Sequence, residues 1–404
     1  MSEKALDGVK VVEYCSSISG PYCTKLLADL GAEVIKIEPP VLGDEARMKG
    51  PFYHDIPDPN LSGLFLYLNT NKLGITLNFN SITGRDIFKQ LIANADIFVE
   101  DKLPGNMKGL GLGYDILKEI NPRLIMTSIT PFGQTGPYRN YKAYYLNTFN
   151  AGGQGYLVRS RDREQHPGPV KLGGYLGEYD AGLSASVATL GALYWQGINH
   201  LGQWLDISKQ EAVVALERVV LGLYPNDGVQ PPTMSQEVSR RMVGLIMCKD
   251  GYVVLVMPEE RQWTSLVELM GNPEWAKDEK YKDQFSRAQY ADEIDPYISE
   301  WMMVHTKDEI YRRGQALGVP IAPVKTAQDI VESEQLEERG FFHEIDHAIA
   351  GRIKYPGAPY IFSRTPLKLE RPAPLLGEHN EFIYCDRLGY NTQELAEMTR
   401  SGVL

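Results

Sequence analysis

The sequence predicts an α/β protein, a large domain joined to a smaller α+β domain, and three observations carry that reading. A strand, a helix and a second strand follow one another within about 30 residues of the start, which is a βαβ unit. The same alternation then continues through the first half of the chain. Composition shifts at Pro225-Asn226-Asp227-Gly228 and Pro231-Pro232, and a hairpin and several helices come after it. The expected boundaries are 1–225 for the first part of the large domain, 226–330 for the small domain and 331–404 for a segment returning to the large domain.

Val9 to Tyr14 has strand propensity. Ser16 to Gly20 forms a turn, and Pro21 is a favourable first helical residue. Tyr22, Leu26, Leu27 and Leu30 recur at helical spacing until Gly31, and Ala32 to Ile37 begins the next strand. Further strands are expected over Gly74 to Leu77, Ile97 to Glu100, Leu124 to Ser128 and Trp204 to Ser208. Helices are expected over Thr83 to Asn94, Tyr114 to Asn121 and Gly182 to Asn199, with a long one from about Lys209. In the second unit Asp250-Gly251 separates two strand-like runs between Met247 and Met257 as a hairpin turn does. Helices follow around Trp263 to Leu269, Ala291 to His305 and Thr306 to Leu317, and the tail carries a helical run through Met398.

A net charge of -11 argues against a non-specific nucleic-acid surface, yet a few local cations suffice for an anionic ligand. Met1 to Leu6 lacks the apolar core of a signal peptide, and no uncharged apolar stretch is long enough to span a bilayer, so a cytoplasmic location is expected. Cys15, Cys23, Cys248 and Cys385 have no zinc-type pairing and read as reduced thiols; neither a metal nor a tightly bound cofactor is expected.

The segment Gly173-Gly174-Tyr175-Leu176-Gly177-Glu178-Tyr179-Asp180-Ala181-Gly182 holds a carboxylate among glycines that let a bound group come close. Such a carboxylate can act as a nucleophile. Gly109-Leu110-Gly111-Leu112-Gly113 follows no strand directly and reads as a structural turn, and Tyr144 and Tyr145 read as packing residues. His166 reads as a surface group and His379 as structural.

The order and spacing of several blocks across roughly 370 residues resemble the class III CoA-transferases, the carnitine and formyl-CoA transferase family. Among them are Leu6 to Glu13, Leu27 to Glu38, Asn71-Lys72, Asn121 to Ile125, Phe132 to Tyr138, Gly318 to Val324 and Leu376 to His379. The resemblance implies an interlocked dimer, each subunit with a Rossmann-like large domain built from both chain ends. It implies acyl-CoA and carboxylic-acid substrates, with the CoA thioester a substrate rather than a resident group. By family position Glu178 replaces the catalytic Asp and Arg47 and Lys72 are expected CoA contacts, joined by Lys102, next to the position of the family's Arg, and by Gly136.

Two departures shape the expected function. Glu178 stands where the family has Asp, since Gly182 matches the family glycine four residues on, and Leu103 stands where the family has an Arg. Leu cannot replace the guanidinium's planar fork of phosphate donors. The first reading is therefore an accessory subunit with a homologous partner, as in the benzylsuccinate CoA-transferases. The complex would move CoA from a donor such as succinyl-CoA to an organic acid, an aromatic succinate for example, through an acyl anhydride and an enzyme thioester. The alternatives are a homodimer with Glu178 as nucleophile and a non-catalytic binding or structural subunit.

Overall fold

The computed structural model describes residues 4–157, 172–216, 222, 224–226, 228, 244–257 and 259–404. Two compact units emerge, one of Met1–Gly155, Lys171–Leu221 and Glu338–Leu404, the other of Tyr156–Val170 and Gly222–Glu337.

Six strands build the sheet of the first unit: β1 (Lys10–Tyr14), β2 (Glu33–Glu38), β3 (Lys72–Thr76), β4 (Ile97–Glu100), β5 (Ile125–Thr130) and β6 (Trp204–Ser208). Their order is β3-β2-β1-β4-β5-β6 and every neighbouring pair is parallel. This is the Rossmann-like order, in which strand progression reverses between β1 and β4 and opens a crevice at the carboxyl ends. Strands covered on both faces read as near-continuous apolar runs, as Ile97-Phe98-Val99 of β4 does, whereas the buried β2 and β5 also carry polar side chains such as Lys36 and Thr127.

Val11 and Val12 on β1 serve opposite faces. Val11 joins Leu27, Val34, Ile97, Ile125, Ala185 and Ala192, beneath helices Ser19–Asp29 and Leu176–Asn199. Val12 joins Ile37, Phe88, Leu91, Phe98 and Met126, under helix Ile82–Ile92. Ile383, Tyr384, Met398 and Leu404 of the chain's far end pack into that same core. A two-stranded antiparallel sheet, β10 (Phe342–His347) with β11 (Gly351–Pro356), packs Ile345 and Tyr355 against Phe65 and Leu66.

The second unit holds an antiparallel sheet of β7 (Gly244–Cys248), β8 (Gly251–Leu255) and β9 (Ile321–Pro323). Val253 and Leu255 pack with Trp263, Leu266, Ile298, Met302, Ile310 and Ile321. The hairpin turn falls at Lys249-Asp250, one residue before the expected Asp250-Gly251. Thr306 caps helix Lys307–Ala316 reciprocally with Glu309. Pro231-Pro232, taken as part of the linker, lies outside the described residues.

Candidate functional site

Three chain segments meet at the carboxyl edge of the six-stranded sheet. After β1 the chain turns through Ser16 and Ser17, whose backbone N–H groups donate to Asp101 and Asp44 at 2.8 Å each. These two carboxylates fix the turn and deliver Ser19 to the first position of helix Ser19–Asp29, almost fully buried. After β6, Ser208 caps helix Lys209–Val214 through its Oγ, which accepts from the Glu211 N–H at 3.2 Å. That cap sets Lys209 at the helix start.

The third segment carries Glu178. Helix Leu176–Asn199 begins six residues before the expected Gly182, so Glu178 lies in its first turn rather than in a glycine-rich loop. The helix N-terminus favours a negative charge there. Glycines 177 and 182 serve the chain's own packing rather than a ligand's approach. A Cβ on Gly177 would lie 2.9 Å from Val213, and one on Gly182 would lie 2.5 Å from the Ser19 carbonyl oxygen. Gly174, at φ +70°, takes the left-handed backbone just before the helix.

Glu178 is 7% exposed. Its Oε2 accepts a hydrogen bond from Ser19 Oγ and another from Lys209 Nζ at 2.7 Å. Its Oε1 has no hydrogen-bond partner among the described residues. One oxygen of the carboxylate is thus held by a hydroxyl and an ammonium group, while the other has no partner among the described residues. Neighbouring Tyr145 packs edge-on against Tyr175, and burial pushes its hydroxyl pKa up, with the charges of Glu178 and Asp180 adding to the effect. Burial also raises the Asp180 carboxyl, whose Oδ2 has no partner among the described residues.

The expected CoA contacts fall in two groups. Arg47 and Lys72 are buried inside a neutral network of three carboxylates and three cations: Glu13, Glu38, Asp44, Lys36, Arg47 and Lys72. The Arg47 guanidinium clamps Glu38 through Nε and Nη2 at 2.7 and 2.8 Å, donates to the Pro374 carbonyl and stacks 3.7 Å from the Phe65 ring centroid. Lys72 Nζ contacts Glu13 at 2.8 Å, the Pro21 carbonyl at 2.8 Å and Asn69 at 2.9 Å, which occupies its three protons. Burial alone would raise the Glu13 carboxyl, but Lys36 and Lys72 hold it down at about 2.

Lys102 and Gly136 are placed differently, on the loops that leave β4 and β5 at the site edge. Lys102 Nζ lies 3.1 Å from Asp101 and 4.3 Å from the Tyr14 ring centroid. Burial would lower its ammonium pKa, yet Asp101 and Tyr14 hold it above the usual range. Gly136 is exposed, at φ +81° with open space around it. Leu103 is 51% exposed.

Among the other expectations, Gly109 to Gly113 forms a turn between two helices, Gly113 capping Tyr114–Ile120. Tyr145 packs as expected, but Tyr144 is 82% exposed, because helix Tyr145–Ala151 turns only the second tyrosine inward. His379 is structural, its Nδ1 accepting from the Gly74 N–H at 3.1 Å. His166 lies outside the described residues. Ser19 and Lys209 went unrecognised in the sequence, since Ser19 reads there only as part of a turn and Lys209 only as the start of a helix, and nothing in their spacing links them to Glu178.

Among the described residues no group of His, Cys, Asp and Glu side chains is arranged to hold a metal ion. No described helix is long and apolar enough to cross a membrane.

Comparison with known proteins gives concordant matches. The model for CoA-transferase family III matches residues 6–380. The formyl-CoA:oxalate CoA-transferase of Streptomyces coelicolor is 34% identical over 423 aligned positions, covering 100% of both chains. Its counterpart from Rhodopseudomonas palustris strain HaA2 is 31% identical over 99% of this chain and 97% of that one. Among solved structures, a CAIB/BAIF family protein from Brucella suis superposes with a TM-score of 0.85 at 30% identity, over 95% of this chain and 99% of that one. Rv3272 from Mycobacterium tuberculosis does so with a TM-score of 0.79 at 25% identity, over 95% and 99%.

Proposed function

This chain belongs to CoA-transferase family III, and from that premise we propose that it moves coenzyme A from an acyl-CoA thioester to a free carboxylic acid with Glu178 as the nucleophile. One observation carries the choice of Glu178: its Oε2 is tied to Ser19 and Lys209 while Oε1 has no partner among the described residues. Oε1 attacks the thioester carbonyl, the C–S bond breaks, and CoA leaves as thiolate from a mixed anhydride. The thiolate then attacks Glu178 Cδ and expels the donor's acid, leaving a glutamyl-CoA thioester. An acceptor carboxylate runs the same two steps in reverse. No water is consumed, so burial of Glu178 protects both activated intermediates.

CoA is proposed to lie along the carboxyl edge, with Lys102 and Gly136 toward it and the Arg47 and Lys72 network forming the wall beneath. A dimer is proposed as the working form. Leu183, Val187, Tyr194 and Ile198 give helix Leu176–Asn199 an exposed apolar stripe, Val187 at 63%, that a second copy would cover. The accessory-subunit reading rests now on Leu103 alone, because Glu178 is held as a nucleophile would be. Nothing in the matches singles out a benzylsuccinate transferase subunit; the relatives' names make formyl-CoA and oxalate the first pair to try.

The test is transfer by the purified chain alone, with that pair and with a panel including succinyl-CoA and aromatic succinates. New acyl-CoA from wild type, none from Glu178→Gln, and a dimer mass in sedimentation are the expected results. Turnover that appears only after a second homologous chain is added would restore the accessory reading.

A further inference from the structure

The two donors on Glu178 Oε2 have a consequence for the half of the reaction centred on the enzyme's own carbonyl carbon. Once Oε1 has reacted, Oε2 is the carbonyl oxygen of both the mixed anhydride and the glutamyl-CoA thioester. Each time thiolate or carboxylate attacks Cδ, the π electrons move onto Oε2 and leave it as an oxyanion until the leaving group departs. Ser19 Oγ and Lys209 Nζ already point at that atom, the latter at 2.7 Å.

We propose that Ser19 and Lys209 form the oxyanion site for attack on Glu178 Cδ, a role that rests on Glu178 being the nucleophile. The site is preorganised. Ser19 is held by the turn after β1, which Asp101 and Asp44 brace through the Ser16 and Ser17 N–H groups, and Lys209 by the capped helix after β6, so neither moves far when charge develops. Both are largely screened from water, the Lys209 side chain being 17% exposed, where a charged donor counts for more than it does in solvent. Direction matters too. In the resting enzyme the same donors withdraw electron density from the carboxylate and slow its first attack, whereas at Cδ they stabilise charge that exists only in the transition state. Their net effect therefore lies in the steps that make and break the glutamyl-CoA thioester.

Single-turnover quench experiments on the full-length protein separate those steps. Wild type mixed with acyl-CoA is quenched in acid, and the CoA thioester on the Glu178 peptide is quantified against time. Lys209→Met is expected to slow its formation about 10²–10³-fold, the usual loss for one oxyanion donor. Acyl-CoA KM should stay within a few-fold, and Lys209→Arg should recover part of the rate. Ser19→Ala, a one-atom change, is expected to slow the same step while leaving the thermal midpoint near wild type, and it carries the test if Lys209→Met does not fold. Thioester formation at the wild-type rate in Ser19→Ala and in folded Lys209→Met overturns the oxyanion assignment while leaving Glu178 as nucleophile. A wild-type enzyme that turns over with no adduct on Glu178 removes the underlying reading, and this proposal with it.

Discussion

Gly182 lies so close to Ser19 that a Cβ built on it would come within 2.5 Å of the Ser19 carbonyl oxygen. Helices Ser19–Asp29 and Leu176–Asn199 can therefore approach closely enough for the Ser19 hydroxyl to reach Glu178, one helical turn before Gly182. Gly182→Ala should force the helices apart, costing about 1–3 kcal/mol of stability as overpacking does. It should also lower kcat by lengthening the Ser19–Glu178 contact. Urea denaturation with steady-state kinetics checks both; unchanged kcat would mean the helices separate without disturbing the site.

Lys72 and Arg47 are expected to act through the fold. Lys72→Met leaves Glu13 buried with Lys36 as its remaining ion-pair partner, and breaking a buried pair in this way costs about 3–5 kcal/mol. The thermal midpoint should fall sharply while acyl-CoA KM of the folded fraction changes little. A rise in KM at unchanged stability would show that Lys72 faces the ligand instead.

Glu100 supplies a pH signature. Burial, helped by nearby Asp101, raises its carboxyl from an ordinary 4.5 to about 7, against hydrogen bonds from Ser128 and the Lys102 N–H. Between those values the folded protein keeps a proton that the unfolded chain releases. Stability contributed by this group is therefore full below about pH 4.5, falls as pH rises toward 7 and stays lower above it. The difference amounts to about 3 kcal/mol at one pKa unit per 1.36 kcal/mol. Glu100→Gln should be more stable than wild type above pH 7 and should lose this slope in urea titrations from pH 5 to 8. Parallel profiles for the two proteins would refute the assignment.

The parallel sheet was legible in the sequence because strands alternate with helical runs, and a strand buried on both faces announces itself as a short apolar run, as β4 does. Ile97 to Glu100 and Trp204 to Ser208 match β4 and the half-exposed edge strand β6 residue for residue. The start of helix Leu176–Asn199 was not legible, since Gly177 reads locally as a loop residue and Gly182 as the first residue of the helix. Their purpose is contact with Val213 and Ser19, both distant in sequence. The same limit applied to the site. Glu178 stood out through its glycine neighbours, but its partners come from 159 residues before it and 31 after. Arg47 and Lys72 were expected as ligand cations by family position, and sequence alone does not show the buried carboxylates, Glu38 and Glu13, that pair with them. Tyr144 and Tyr145 looked alike, and only the helix that starts between them separates the exposed ring from the buried one.

The central claim is that Glu178 becomes covalently acylated. Wild-type protein incubated with acyl-CoA and treated with hydroxylamine should yield a glutamyl hydroxamate, and peptide mass spectrometry should find it at Glu178 in the peptide spanning Gly173 to Gly182. The same treatment without acyl-CoA, or of Glu178→Gln, should leave that peptide unmodified. Robust CoA transfer by a preparation whose Glu178 never carries the hydroxamate would contradict the account.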